Sequence, residues 1–284
     1  MKKLYLHLGL PKTGSTALQE DVLPFVKGDF FYAGKSLEGK NCSDFLRILR
    51  EFLDATEAEK CGLLKKISSS VARIPYSNII VSDEMFVVDT DKSLWQKKII
   101  RLSELKAILD IEKVIVFRRE PVSAVYSLYV ESYHLLSHRY NKCIDFALQA
   151  NQALIYKYSY LDSLLTSAFG DRALCYLSYD NECSLIDELL KTGVLVDAAA
   201  IQDRKINTKK MIGRGYVSNR KTLKDSLFSI GLVGWVVKRV PRKYYRFIAD
   251  LFSKIGVSNG VVVDRPTEEE VKIIQHFFSG SDKG

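Results

Sequence analysis

The sequence predicts an α/β protein built on a doubly wound, mostly parallel sheet with flanking helices. Three observations lead there. Short apolar runs of strand length recur through the first two thirds of the chain, and segments of helical periodicity separate them. Most of these runs are unbroken rather than alternating, as suits parallel strands buried on both faces.

The elements follow in order. Lys3 to Leu8 alternates and is rich in β-formers, so it reads as a short strand, followed by a tight loop and a helix from about Ser15 to Val26. Residues 43–53 and 57–73 carry helical patterns before a second strand, Asn78-Ile79-Ile80-Val81-Ser82. A helical stretch over 93–110 leads to a third strand, Lys113 to Phe117. Helical patterns over 121–136 and 141–168 precede a fourth, Leu174-Cys175-Tyr176-Leu177, and another helix spans 182–192. In sheets of this kind ligands bind at the carboxyl ends of the strands.

The texture changes after about residue 200. Between Arg204 and Lys221 there are seven Lys or Arg (Arg204, Lys205, Lys209, Lys210, Arg214, Arg220, Lys221) and no acid. An apolar segment from Leu227 to Val237 follows, then Lys238, Arg239, Arg242, Lys243 and Arg246. That apolar segment is too short to span a bilayer. It reads either as a core-packing helix with a solvated basic neighbour or as a segment lying in a membrane interface. Asp264 to Glu270 opens a terminal helix with acids in its first turn, where the helix dipole favours them. The division expected is an α/β domain over 1–221 and a helical C-terminal extension over 222–284 packed on the same domain.

Composition narrows the class. The 284 residues hold 42 Lys and Arg against 34 Asp and Glu, a net charge of +8, with 47% hydrophobic and 27% charged residues. Those proportions exclude wholesale disorder. No apolar run approaches the roughly 18 residues of a membrane-spanning helix. The basic and apolar start meets Pro11-Lys12-Thr13-Gly14 at once, unlike a signal peptide, so a cytoplasmic location is expected. Five cysteines, Cys42, Cys61, Cys143, Cys175 and Cys183, show no CxxC spacing and read as reduced thiols packed mostly like small apolar residues. The four histidines form no HExxH, and His134 and His138 read as helix surface, so no metal site is expected.

The most informative segment is Leu8-Gly9-Leu10-Pro11-Lys12-Thr13-Gly14-Ser15-Thr16-Ala17, between a strand and a helix. Exposed amides at a helix start bind anions, and glycines allow close approach. Lys12 adds a charge, and Ser15 and Thr16 add hydroxyls. A nucleotide kinase would show GxxxxGK[ST] instead, and no such arrangement is present. This loop resembles the 5′-phosphosulfate loop of the sulfotransferase family. A second segment strengthens the resemblance: Arg119, Pro121, Ser127 and Tyr129 fill every fixed position of the family's R-x-P-x5-S-x-Y pattern. Independently of the family, Arg119 at a strand's carboxyl end suits a phosphate, and Pro121 suits the first turn of a helix.

The resemblance covers residues 1 to about 195, including the strand end Tyr176-Leu177-Ser178-Tyr179-Asp180. It departs at Ser15-Thr16, where a Thr pair is commoner, and at Glu120, where Asp or Asn is frequent. The RKGxxG element of the cytosolic small-molecule sulfotransferases is missing, with only Gly213-Arg214-Gly215 comparably placed. That favours the carbohydrate-modifying branches over phenol or steroid acceptors. The resemblance implies 3′-phosphoadenosine 5′-phosphosulfate as donor, no metal, and transfer to a hydroxyl of a saccharide or lipid-linked glycan. A bacterial enzyme, cytoplasmic and peripheral on the inner membrane face through 227–246, fits that acceptor.

It also implies roles. Lys12 neutralises charge on the bridging oxygen. The amides of Thr13, Gly14, Ser15, Thr16 and Ala17, with the Thr16 hydroxyl, hold the 5′-phosphate. Arg119 and Ser127 hold the 3′-phosphate. Apart from the resemblance, the basic run 204–221 reads either as a loop closing over the donor's phosphates or an anionic glycan, with Arg204, Asn207 and Arg214 as candidate contacts, or as a solvated basic loop. For the general base, Glu84 after the second strand comes first, with Asp83 the local alternative and His7 next. Two other readings stay open: a P-loop nucleotide-dependent phosphotransferase, and a non-enzymatic basic binding protein. No helix-turn-helix, zinc-finger or RRM motif is present, so no nucleic-acid partner is expected.

Overall fold

The computed structural model describes residues 1–34, 43–179, 185–197, 211–212, 215–217 and 261–280. At its centre five strands pair in parallel in the order β2-β3-β1-β4-β5. They are β1 (Lys3–Leu8), β2 (Phe30–Tyr32), β3 (Asn78–Asp83), β4 (Asp110–Arg118) and β5 (Leu174–Ser178). The doubly wound α/β fold is therefore present. The chain leaves β1 toward one edge of the sheet, and the later connections move toward the other edge. Right-handed crossovers then place the first connection on one face and the rest on the opposite face.

The side chains agree. Leu4, Leu6 and Leu8 of β1 join a core shared with α2 (Asp44–Leu53), α3 (Glu57–Ala72), α4 (Trp95–Ser103) and α5 (Pro121–Glu131). The same face carries α7 (Cys143–Gln149) and α8 (Tyr158–Phe169), and a short α6 (Tyr133–Leu136) follows a break at Ser132. Tyr5 points the other way, into a second core with Leu18, Val22, Phe117 and Leu189, the last on α9 (Leu185–Leu190). Such alternation is the period of a strand, here buried on both sides.

Four strands match the sequence expectation, and the differences have local causes. β2 is only Phe30-Phe31-Tyr32, too short to register as a run. The helix expected over 15–26 is instead a turn of α1 (Ser15–Ala17), a π-helical segment Leu18–Val22 and a 3-10 turn Leu23–Phe25 containing Pro24. The wider π turn keeps Leu18, Gln19 and Val22 all buried. The helix expected over 93–110 stops at Ser103 and a 3-10 turn, and Asp110 already belongs to β4. The stretch 141–168 divides into α7, a 3-10 turn Asn151–Tyr156 and α8. Of the cysteines, Cys143 is buried, Cys175 packs half-buried against the second core and Cys61 is exposed, while Cys42 and Cys183 lie outside the described residues.

A second sheet of three short antiparallel strands, β6 (Met211–Ile212), β7 (Gly215–Val217) and β8 (Val262–Asp264), joins segments on both sides of the expected 221/222 boundary. Val263 accepts a hydrogen bond from the Tyr126 hydroxyl at 2.6 Å. The terminal α10 (Glu268–Ser279), closed by a Thr267–Glu270 capping box, buries Ile274 and Phe278 in the main core. Arg204, Asn207, Arg214 and the segment 227–246 lie outside the described residues.

Leu6 is 0% exposed at the centre of the middle strand. Leu6→Ala should cost about 2–5 kcal/mol of unfolding free energy, read by chemical denaturation.

A candidate anion-binding site at the carboxyl end of β1

The register sets Leu8 beside Asp83, so the loop leaving β1 runs against the end of β3. Gly9 makes that approach possible: a Cβ there would meet Glu84 N at 3.1 Å and the Asp83 carbonyl carbon at 3.2 Å. The loop then turns through two left-handed residues, Lys12 at φ 64° and Gly14 at φ 78°.

Three successive carbonyls of the loop point into the protein and are occupied. Leu10 accepts from the Thr13 hydroxyl at 2.8 Å and the Ser15 hydroxyl at 3.0 Å. Pro11 accepts from the Tyr156 hydroxyl at 2.7 Å, and Lys12 from Arg119 Nη1 at 3.1 Å. No side chain caps the start of α1 at Gly14. The amides that follow are oriented by this arrangement rather than consumed by it. The buried Ser15 hydroxyl is spent inside the loop, so a ligand can meet this residue only through its amide, while Thr16 keeps a half-buried side chain.

The β4–α5 turn supplies the second half. Glu120 caps α5, its carboxylate accepting from Val122 N at 3.0 Å and Ser123 N at 2.6 Å, with Pro121 at the first helical position. An acid at this position is thus explained by capping. Arg119 reaches the loop and lies over the Tyr179 ring, 5.3 Å from its centroid. Arg118 turns away, over Tyr176 at 3.6 Å and Tyr158 at 4.9 Å, and pairs with Asp162.

Lys12 Nζ pairs with Glu131 Oε2 at 3.2 Å, the two side chains 20% and 40% exposed. Glu131 and Ser127 are four residues apart on α5, so they share the helix face that reaches Lys12. Ser127 is half-buried there. Burial pushes the Tyr156 hydroxyl well above its usual range, and the carboxylates of Glu84 and Glu131 push it the same way. Glu131 stands at the loop through its pair with Lys12, and Glu84 through its close approach to Gly9.

The three candidate bases fare differently. His7 is 0% exposed, with Nδ1 2.6 Å from the Ser82 hydroxyl, which also accepts from Gln19 Nε2 at 3.0 Å. Burial pushes its imidazole down to about 3. Enclosed inside β1, it cannot meet an acceptor. Asp83 is 2% exposed and held by Arg50 through both oxygens, while one oxygen also accepts from Met85 N. Glu84, on the 3-10 turn Glu84–Phe86 beside Gly9, is the one with a half-buried side chain at the strand end.

Glu131, Tyr156, Tyr158 and Arg50 escaped the sequence reading. Their contacts join residues far apart in sequence, 145 for Tyr156 to Pro11, and no local pattern marks them. Among the described residues no cluster of His, Cys, Asp or Glu could hold a metal ion, and no helix is long and apolar enough to cross a membrane. The fold and the site together define a parallel α/β protein with a glycine-bearing loop and an arginine converging at the end of its central strands. No family model and no curated protein matches the chain.

Because His7 is neutral when folded, the unfolded chain takes up its proton first as pH falls through about 6.5. Stability is then lost progressively toward pH 3, by up to about 1.4 kcal/mol per pH unit. Thermal melts from pH 7.5 to 4.5 should show this slope, and His7→Gln should flatten it.

Proposed function

We propose that the protein transfers the sulfuryl group of 3′-phosphoadenosine 5′-phosphosulfate to a hydroxyl of a saccharide or glycolipid acceptor. The observation that carries this reading is the 3.1 Å contact between Arg119 and the Lys12 carbonyl. It brings into one site the two segments that resemble the family's donor-binding motifs. Those motifs lie on adjacent strands, β1 and β4, at the sheet end where such folds take ligands.

In this reading the amides of Thr13 to Ala17 and the Thr16 hydroxyl hold the 5′-phosphate, and Arg119 and Ser127 hold the 3′-phosphate. Lys12 leaves Glu131 to neutralise charge on the bridging oxygen. The chemistry is an in-line displacement. The bond from sulfur to the bridging oxygen breaks, a bond from sulfur to the acceptor oxygen forms, and the acceptor proton passes to Glu84. The products are a sulfate ester and 3′-phosphoadenosine 5′-phosphate. Catalysis then comes from positioning and from charges fixed where negative charge grows.

Calorimetric titration with 3′-phosphoadenosine 5′-phosphate tests the donor site, with ATP and magnesium as the control. Wild type should bind the former tightly and the latter weakly, and Arg119→Ala should lose at least tenfold in affinity, as removal of a charged hydrogen-bond donor does. A well-folded wild type that ignores the compound sinks the reading. With an acceptor in hand, Glu84→Gln should lower kcat by about 10²-fold or more with donor affinity nearly unchanged. Full turnover in that variant excludes Glu84 as the base.

A further inference from the structure

Arg119 lies one residue beyond the last β4–β5 pair, Arg118 with Ser178. The strand ladder ends there, and a side chain takes over. The Arg119 N–H donates to the Tyr158 hydroxyl at 3.0 Å, and that hydroxyl donates to the Arg119 carbonyl at 2.7 Å. One phenol thus serves both backbone groups that a neighbouring strand would otherwise serve.

The phenol is itself held. Tyr158 opens α8 and packs against the main core, and Arg118 lies over its ring while pairing with Asp162 one turn further along the same helix. Arg118 and Arg119 therefore leave the strand in different directions, the first clamped on α8 and the second aimed at the loop. A fixed backbone at Arg119 matters because its guanidinium must meet the Lys12 carbonyl and remain beside Tyr179.

We infer that Tyr158 is a positioning residue that aims Arg119 at a 3′-phosphate and, through the Arg119–Lys12 contact, ties that end of the donor site to the loop. The inference rests on the sulfotransferase reading above. It predicts an effect confined to ligands that carry a 3′-phosphate. Removing the hydroxyl keeps the ring and its packing, yet takes from Arg119 the group that fixes its backbone.

The test compares two ligands, 3′-phosphoadenosine 5′-phosphate and adenosine 5′-monophosphate, on wild type and Tyr158→Phe by calorimetry. The variant should lose about tenfold in affinity for the first and less than about twofold for the second. An equal loss for both means a general disturbance of the fold and overturns the inference, as does no loss for either. Wild type settles the underlying reading separately. If it prefers the 3′-phosphorylated ligand no more than the other, the donor site fails and Tyr158's role goes with it. Should Tyr158→Phe lack a cooperative melt, amide exchange at Arg119 in wild type decides. Slowing by the 3′-phosphorylated ligand beyond that by the monophosphate supports the role, and equal slowing overturns it.

Discussion

Because β1 is hydrogen-bonded to β3 on one edge and β4 on the other, with helices over both faces, its chain can leave only at the strand end. The first connection goes one way and the later ones go the other. The crevice left between them lies where Gly9 to Ala17 turns. Everything proposed for the site depends on this enclosure. It brings the ends of β3 and β4 against the loop, and with them Glu84 and Arg119.

The loop is held by its carbonyls. Left-handed backbone at Lys12 costs about 1–2 kcal/mol for a residue with a side chain. The hydrogen bonds from Thr13, Ser15, Tyr156 and Arg119 to three consecutive carbonyls offset that cost. They also orient the peptide planes. Lys12 is gripped twice from the β4–α5 unit, at its carbonyl by Arg119 and at its ammonium by Glu131. An anion entering the site would meet a loop already in shape and a lysine that must change partners.

Around this centre the polar groups have structural duties that limit their chemical ones. Arg50 and Asp83 neutralise each other at the end of β3. The buried Lys98 ammonium donates to the carbonyls of Met85 and Val88, fixing the turn that carries Glu84. His7 of β1 and Gln19 of the π turn both bond to the Ser82 hydroxyl on β3. Glu84 is the half-buried acid at the strand end, next to the enclosed Asp83.

The order of residues already carries the parallel α/β class, because strands buried on both faces must be written as apolar runs. It also marked the glycines, Lys12 and the Arg119–Pro121 turn, since tight turns and helix starts demand particular residues at fixed spacing. The rest was not written locally. β2 is three residues long, and the π turn depends on which side chains the sheet can bury. The burial of His7, the capture of Ser15 by its own loop, and the partners Glu131, Tyr156 and Tyr158 arise from contacts between distant segments. Only tertiary packing decides those, because a polar side chain's role is set by what it is enclosed with, and enclosure is a property of the folded chain.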